Sequence, residues 1–356
     1  MRKKITLLIM IIIIIMISYG RNIQKKVATF SIVGYDEKTG EIGVAVQSKF
    51  LAVGAVVPHA DADYGAVATQ AWAKTSFAKK ALKLLEMGVK PEDIFKFAIK
   101  NDDKSATRQY GIVSTNGESA SWTGKECSKW AGHKYGKNFA AQGNILVKKE
   151  VVENMAQYFV ENNNLPLGMR LINSLRAGQE AGGDSRGRQS AALLVVAKKG
   201  GYSGFSDRFI DIRVDDHKKP IEELARIYNL HEKTFQAASY IRRGVFYLEE
   251  KNEKLAERMF DRAIEISEKY EENASILNSI AWEFAQHNYN LDYALLSAKK
   301  AYDLEPDNPN IIDTLAVIYA KKGFYKRAIE LEKKAFDLSK DPVFEKKIEK
   351  WEKYVK

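Results

Sequence analysis

Residues 181–196 read AGGDSRGRQSAALLVV, an acid and two guanidinium groups threaded between glycines and running straight into an apolar segment. Gly182, Gly183 and Gly187 relax the steric limits on the backbone, while Arg186 and Arg188 present forked donors suited to a carboxylate or a phosphate. Together with Asp184 they make the edge of a site. No Gly-Lys-Ser/Thr follows, so the stretch is not a nucleotide-binding loop. A second constellation is DIRVDDH, where Asp211, Asp215, Asp216 and His217 set three carboxylates and an imidazole close together. His133 in WAGH is a further candidate ligand for an oxygen-rich cation site. On a strand Asp211 and Asp215 point one way and Asp216 the other, and Arg213 offers these acids a partner instead. No resident metal or cofactor is expected.

The elements that must position these groups fall into two parts. From Val27 to about Val214, short β-rich runs (ATFSIVGY, EIGVAVQS, YGAVATQAW, YGIVST, AALLVVAK, FIDIRVDD) alternate with two helical regions, with glycines punctuating the strand ends. One helical region covers Lys79 to Met87 with Pro91 to Ile99, the other Lys149 to Phe159 with Leu167 to Ala177. Helices inserted between sets of strands predict an α+β arrangement of sheets covered by helical layers.

After His231 the strand pattern stops. Gly244, Ala281 and Ala316 recur at intervals of 37 and 35 residues, Ala256, Ala294 and Ala328 at 38 and 34, and Ala263, Ala301 and Ala335 repeat the latter spacing. This is the tetratricopeptide period, with small residues where the two helices of a hairpin must touch. Tyr247, Phe284 and Tyr319 follow the first small residues by three positions and fill the gap between helices. The domain plan is a leader at 1–26, a strand-rich domain at 27–232, about three all-α repeats at 233–342 and an amphipathic tail at 343–356. Such repeats resemble peptide-binding scaffolds, so a protein or peptide is the partner they predict.

The chain has 356 residues, 45% of them hydrophobic and 29% charged, which excludes disorder as its main theme. Cys127 is the only cysteine, so neither an internal disulfide nor two-cysteine zinc ligation can form. Six of the ten excess positive charges belong to Arg2, Lys3, Lys4, Arg21, Lys25 and Lys26, and no stripe of basic and aromatic residues follows, so nucleic acid is not an expected partner. Those six flank ITLLIMIIIIIMI, Ile5 to Ile17, and the small-x-small sequence Ser18-Tyr19-Gly20. The pattern predicts an export signal, with an uncleaved membrane anchor as the alternative because Arg21, Lys25 and Lys26 follow it. The expected location is periplasmic, extracellular, or on the outer face of the cytoplasmic membrane.

Six ordered blocks (TFSIVGYDEKTGEIGVAVQSKFLAVGAVVP, GAVATQAW, TGKECSKWAGH, FAAQGN, AGGDSRGRQSAALLVV and DIRVDDH) resemble an uncharacterised bacterial family, domain of unknown function 1028, over roughly Ala28 to Glu232. The resemblance implies a four-layer αββα sandwich of the N-terminal-nucleophile (Ntn) hydrolase kind. In that superfamily the first residue of the mature first strand attacks an amide carbonyl, and its own α-amino group, with a pKa near 8, accepts the proton. Thr29 matches that position, with an ordinary β-forming residue that begins a strand as the alternative. Cleavage after Gly20 would leave Arg21 to Ala28 in front of it, so exposure of Thr29 needs a further processing step, such as self-removal of a propeptide.

The same resemblance gives weight to other positions. Ser48 and Gln47 end the second strand, where such enzymes keep an acid or amide near the nucleophile. Asn144 in QGN is the candidate oxyanion donor, with a turn-forming asparagine as the alternative. Gln70 either binds a substrate amide or satisfies a strand end. Arg186 or Arg188 is read as a clamp for an acidic or amino-acid-like substrate, or else as the partner of Asp184 within the loop. The implied activity is hydrolysis of a peptide or amide bond, with a small peptide or amide as substrate. The alternative is a catalytically silent fold that acts with the repeats in binding or assembly.

Overall fold

The computed structural model describes residues 29–270 and 273–355. The leader expected at 1–26 lies outside the described residues. Among the described residues no helix is long and apolar enough to cross a membrane.

Two strands open the fold, β1 (Thr29–Asp36) and β2 (Glu41–Ser48), joined by a tight turn. Asp36 forms the turn by accepting from the Lys38 N–H at 3.1 Å and the Thr39 hydroxyl at 2.8 Å, and Gly40 supplies the positive φ of 70° that closes it. After β3 (Pro58–Asp61) and β4 (Gly65–Ala71) come helices α1 (Thr75–Glu86) and α2 (Pro91–Lys100). Strands β5 (Arg108–Ser114), β6 (Ser119–Thr123), β7 (Gly132–Gly136) and β8 (Phe139–Asn144) precede α3 (Glu150–Glu161) and α4 (Leu167–Glu180). The hairpin β9 (Ser190–Val196) and β10 (Arg208–Val214) completes two antiparallel sheets, ordered β10-β9-β2-β1-β8-β7 and β3-β4-β5-β6.

The strands carry apolar residues on both faces, and that dictates four layers. Phe30, Ile32, Ala45 and Phe139 pack under Val152, Met155, Phe159 and Leu171 of α3 and α4. On the opposite parity Val33, Val44 and Val46 meet Ala66, Ala68 and Val113 of the second sheet. Val67, Tyr110 and Ile112 then turn outward to Phe77, Ala81 and Phe95 of α1 and α2. The helix–sheet–sheet–helix order matches the expected sandwich.

The remaining chain is all helical. Helix α5 (Pro220–His231) passes through a π turn, Glu232–Gln236, into α6 (Ala237–Glu249) without leaving helical dihedrals. There follow α7 (Glu253–Lys269), α8 (Ala274–Gln286), α9 (Leu291–Leu304), α10 (Pro309–Lys321), α11 (Tyr325–Ser339) and α12 (Pro342–Glu352). The small residues of the repeat columns, among them Ala256, Ala263, Ala281, Ala294, Ala316, Ala328 and Ala335, have no exposed surface. A Cβ on Gly244 would stand 2.4 Å from the Phe260 ring, so α6 and α7 cross where only glycine fits. The expected tail is α12, which buries Phe344, Ile348 and Trp351.

The boundary expected at 232–233 lies inside the unbroken helical rod 220–249. One apolar core runs from Phe30 of β1 to Trp351 of α12. Polar contacts seal the junction: Arg243, fully buried, donates to Glu41 Oε1 at 2.9 Å and to the Thr39 carbonyl at 2.7 Å, and the Tyr240 hydroxyl donates to the same Glu41 oxygen at 2.8 Å.

Candidate active site

Antiparallel register decides which side chains share a face. Thr29 lies directly opposite Ser48 on β2 and opposite Asn144 on β8, and Ser48 lies opposite Ser190 on β9. Cross-strand partners project to the same side, so Ser190, Ser48, Thr29 and Asn144 form one polar row at the strand ends, facing the second sheet. Facing them is a second row, Gln70, Gln109 and Thr123, in register across β4, β5 and β6.

Hydrogen bonds knit the two rows together. The Thr29 hydroxyl donates to Ser48 Oγ at 3.2 Å. Gln70 Nε2 donates to the Thr29 carbonyl at 3.2 Å and to Gln109 Oε1 at 2.8 Å, while its Oε1 accepts from Ser31 at 2.6 Å. Asn144 Nδ2 donates to Gln109 Oε1 at 2.9 Å. One pleat further in, Gln142 Nε2 donates to Ser31 Oγ at 2.6 Å, in space left by Gly111, where a Cβ would approach Gln142 Oε1 to 2.1 Å. Thr29, Ser48, Gln70 and Gln109 have no exposed surface, and Asn144 has 1%. The buried Thr29 hydroxyl thus meets the Ser48 hydroxyl, while the Gln70 amide holds the Thr29 carbonyl.

Three non-glycine residues near this end of the sandwich adopt left-handed backbone: Ala52 (φ 53°), Ala71 (φ 64°) and Ile145 (φ 55°). Ala71 follows Gln70 and Ile145 follows Asn144. A β-branched residue in that region is strained, at about 1–2 kcal/mol, and persists only when its surroundings fix it. They do so here: the Ile145 N–H donates to Ser128 O at 3.0 Å, and both the N–H and the hydroxyl of Ser185 donate to Ile145 O at 2.9 Å.

The other expected residues divide. Ser48 and Asn144 flank Thr29. Gln47, one residue off the Ser48 parity, faces the α3–α4 layer beside Phe30 and Ala191, away from Thr29, because strand side chains alternate. Its amide atoms are buried without a hydrogen-bond partner among the described residues. Gln70 spends its amide on Thr29, Ser31 and Gln109, hydrogen bonds that satisfy the strand end.

Asp184, its carboxylate fully buried, accepts from Arg186 N, Nε and Nη2 at 2.9, 3.1 and 2.8 Å and from the Lys49 N–H at 3.0 Å. The internal pairing is thus the one adopted, and it ties the loop to the backbone next to Ser48. Arg188 reaches Glu222 of α5 at 3.6 Å. His133 sits on edge strand β7, whereas Asp215, Asp216 and His217 follow β10 at the opposite edge, so the metal-ligand candidates are not brought together. Among the described residues no cluster of three such side chains could hold a metal ion. Asp211 is held by Arg208 at 2.6 Å and Arg213 at 3.0 Å.

Sequence reading missed Gln109, Gln142 and Ser31, the polar positions of otherwise apolar strands whose parity places them between the sheets. Thr123 was missed as well, and it carries the network outward: it accepts from Gln109 Nε2 at 2.9 Å and bonds His133 Nδ1 at 2.9 Å. Burial holds that imidazole below the ordinary histidine value. In the helical region a cavity of about 430 Å³ runs between α8, α10 and α12, lined by Gln286, Val317, Lys321, Lys347, Lys350 and Trp351.

Some solved structures resemble parts of the chain. No curated protein matches the chain. The crystal structure of protein SPO2555 from Silicibacter pomeroyi, a DUF1028 protein, is similar at 31% identity and a TM-score of 0.53, covering 57% of this chain and 86% of that one. The Arabidopsis OM64 TPR domain is similar at 16% identity, with a TM-score of 0.27 and 34% and 98% of the two chains covered. The Sgt2 TPR domain from Aspergillus fumigatus gives 16%, 0.28, and 34% and 80%. Residues 29–224, more than half of the chain, match the family described as "Family of unknown function (DUF1028)", so the chain belongs to that family.

Proposed function

We propose that the protein is an amidohydrolase of the Ntn type, exported by its N-terminal segment, with a helical-repeat module that engages a protein or peptide. One observation carries the reading: Thr29 heads β1 at the first residue of the family match, between Ser48 and Asn144 on the two adjacent strands. Release of residues 1–28 would give Thr29 a free α-amine, whose pKa near 8 suits a base at neutral pH. The amine takes the proton from Thr29 Oγ1 as that oxygen bonds to the amide carbon. Ser48 Oγ, 3.2 Å away, orients the hydroxyl. Asn144 Nδ2 has a second hydrogen beyond the one given to Gln109, available to a developing oxyanion. Expulsion of the amine with the proton leaves an ester on Thr29, and water restores the threonine and releases the acid. Gln70 and Gln109 hold the row in place.

The test is the mature N-terminus, read by mass spectrometry, together with hydrolysis of aminoacyl p-nitroanilides. The reading expects a chain that begins at Thr29. Thr29→Ala should keep its leader-proximal residues and lose hydrolysis, and Asn144→Ala should lower kcat by about 100- to 1,000-fold. Fully active protein that still begins at Arg21 would exclude Thr29 as a terminal nucleophile. The complete burial of Thr29 favours a second reading, a silent sandwich that serves binding or assembly; Thr29→Ala would then fold and capture its partner unchanged.

A further inference from the structure

A second cavity, of about 350 Å³, opens between the β9–β10 loop and the π turn, on the sandwich–repeat junction. Its walls are aromatic. Tyr202 and Phe235 stand 82% and 58% exposed, Phe209 closes the floor, and the His231 ring sits 5.5 Å from Phe235 and 6.4 Å from Phe209. The volume lies within the range of small-molecule sites. The wall includes Thr234 and Phe235 of the π turn, an irregularity that helices keep mostly at functional positions. Ser203 in the facing loop holds a left-handed φ of 51°.

The polar groups of the wall are unevenly satisfied. Asp211 is saturated by Arg208 and Arg213. Arg242, half-buried, has five N–H donors, of which Nη2 meets the Gly201 carbonyl at 3.2 Å, while its Nε is buried with no acceptor among the described residues. Burial pulls the Arg242 pKa down, only partly offset by Glu283, and burial likewise keeps His231 neutral near pH 7. With Arg208 offset by Asp211, the lining carries one excess positive charge on an under-coordinated guanidinium beside rings in tilted and edge-on contact.

We propose that this cleft binds a small monoanionic carboxylate bearing an aromatic ring, with the carboxylate on Arg242 and the ring between Tyr202 and Phe235. The site is independent of the Thr29 row. The lone charge suits a monoanion better than a phosphate dianion, and the guanidinium fork matches a carboxylate.

Calorimetric titration of the full chain with 3-phenylpropanoate tests it, with 3-phenylpropanamide as the uncharged control. The amide should bind at least about 10-fold more weakly, as should the acid to Arg242→Gln, the loss expected of one charge-assisted contact. Tyr202→Ala and Phe235→Ala alter exposed side chains that the fold does not need and should each weaken binding several-fold, which keeps the test valid if Arg242→Gln disturbs the Gly201 contact. N-acetyl-Ala-Ala-Phe binding as well as the free acid would identify a peptide C-terminus as the source, and weaker binding a free acid. Equal affinity for acid and amide, unchanged affinity in the Phe235 and Tyr202 variants, or no binding at millimolar concentration would overturn the proposal.

Discussion

Replacing Arg243 by methionine isolates the contact that fastens the repeats to the sandwich. Arg243 and Glu41 are 0% and 1% exposed, and their ion pair spans 2.9 Å. Methionine fills much of the arginine volume but leaves the Glu41 carboxylate with the Tyr240 hydroxyl alone and the Thr39 carbonyl without its 2.7 Å donor. Stranding one member of a buried pair costs about 3–5 kcal/mol, so the melting temperature should fall by about 10 °C. Glu41→Gln should be destabilising too, because it strands the guanidinium. The double variant Glu41→Gln/Arg243→Met strands neither charge and should cost less than the two single changes added together, a positive coupling in a double-mutant cycle. The assay is thermal and urea unfolding of the four proteins at one pH. A cost below about 1 kcal/mol for Arg243→Met, or strict additivity, would refute the reasoning that a desolvated charge pair holds the junction.

Three further changes probe other parts of the molecule. Gln47→Met removes an amide buried without partners and should raise stability by about 1–3 kcal/mol in urea unfolding. Asp184→Ala strips the acceptor from Arg186 and from the Lys49 N–H; it should cost about 2–3 kcal/mol and, by freeing the strand end that carries Ser48, lower the proposed hydrolysis in parallel. Glu332 of α11 is buried beside Asp313, with Lys347 Nζ at 3.7 Å, and burial followed by the Asp313 charge pushes its pKa from 4.5 up to about 9. The folded state then holds a proton that the unfolded chain gives up near 4.5, so stability falls as pH rises through that interval, and Glu332→Gln should flatten melting temperature against pH between 5 and 9.

The α+β class was legible because strand and helix periodicities differ, whereas the four-layer order was implied by the family resemblance. The repeat columns were legible for a simpler reason: close helix crossings admit only small residues, and those recur at a fixed interval. The candidate site was half legible. Thr29, Ser48 and Asn144 became neighbours through strand register, which hydrophobic alternation fixes, and the same alternation turned Gln47 to the wrong side. Gln109 and Gln142 escaped notice because an amide within an apolar run carries no chemical signature of its own; its partners lie on strands far away in sequence. The Asp184–Arg186 pair was one of two readings of a short loop, and the Lys49 N–H that shares the same carboxylate is a backbone donor invisible to side-chain patterns.

The π turn at Glu232–Gln236 has a mechanical consequence. Because residues 220–249 form one continuous rod, bolted to the β1–β2 turn by Arg243, the connection offers no pivot. A peptide engaged by the repeats, as proposed above, would be presented to the sandwich at one bearing and one distance. A tether acts through a spread of separations, whereas this bracket sets a single one, so lengthening the rod by even one residue should swing the array by about 100° of helical rotation.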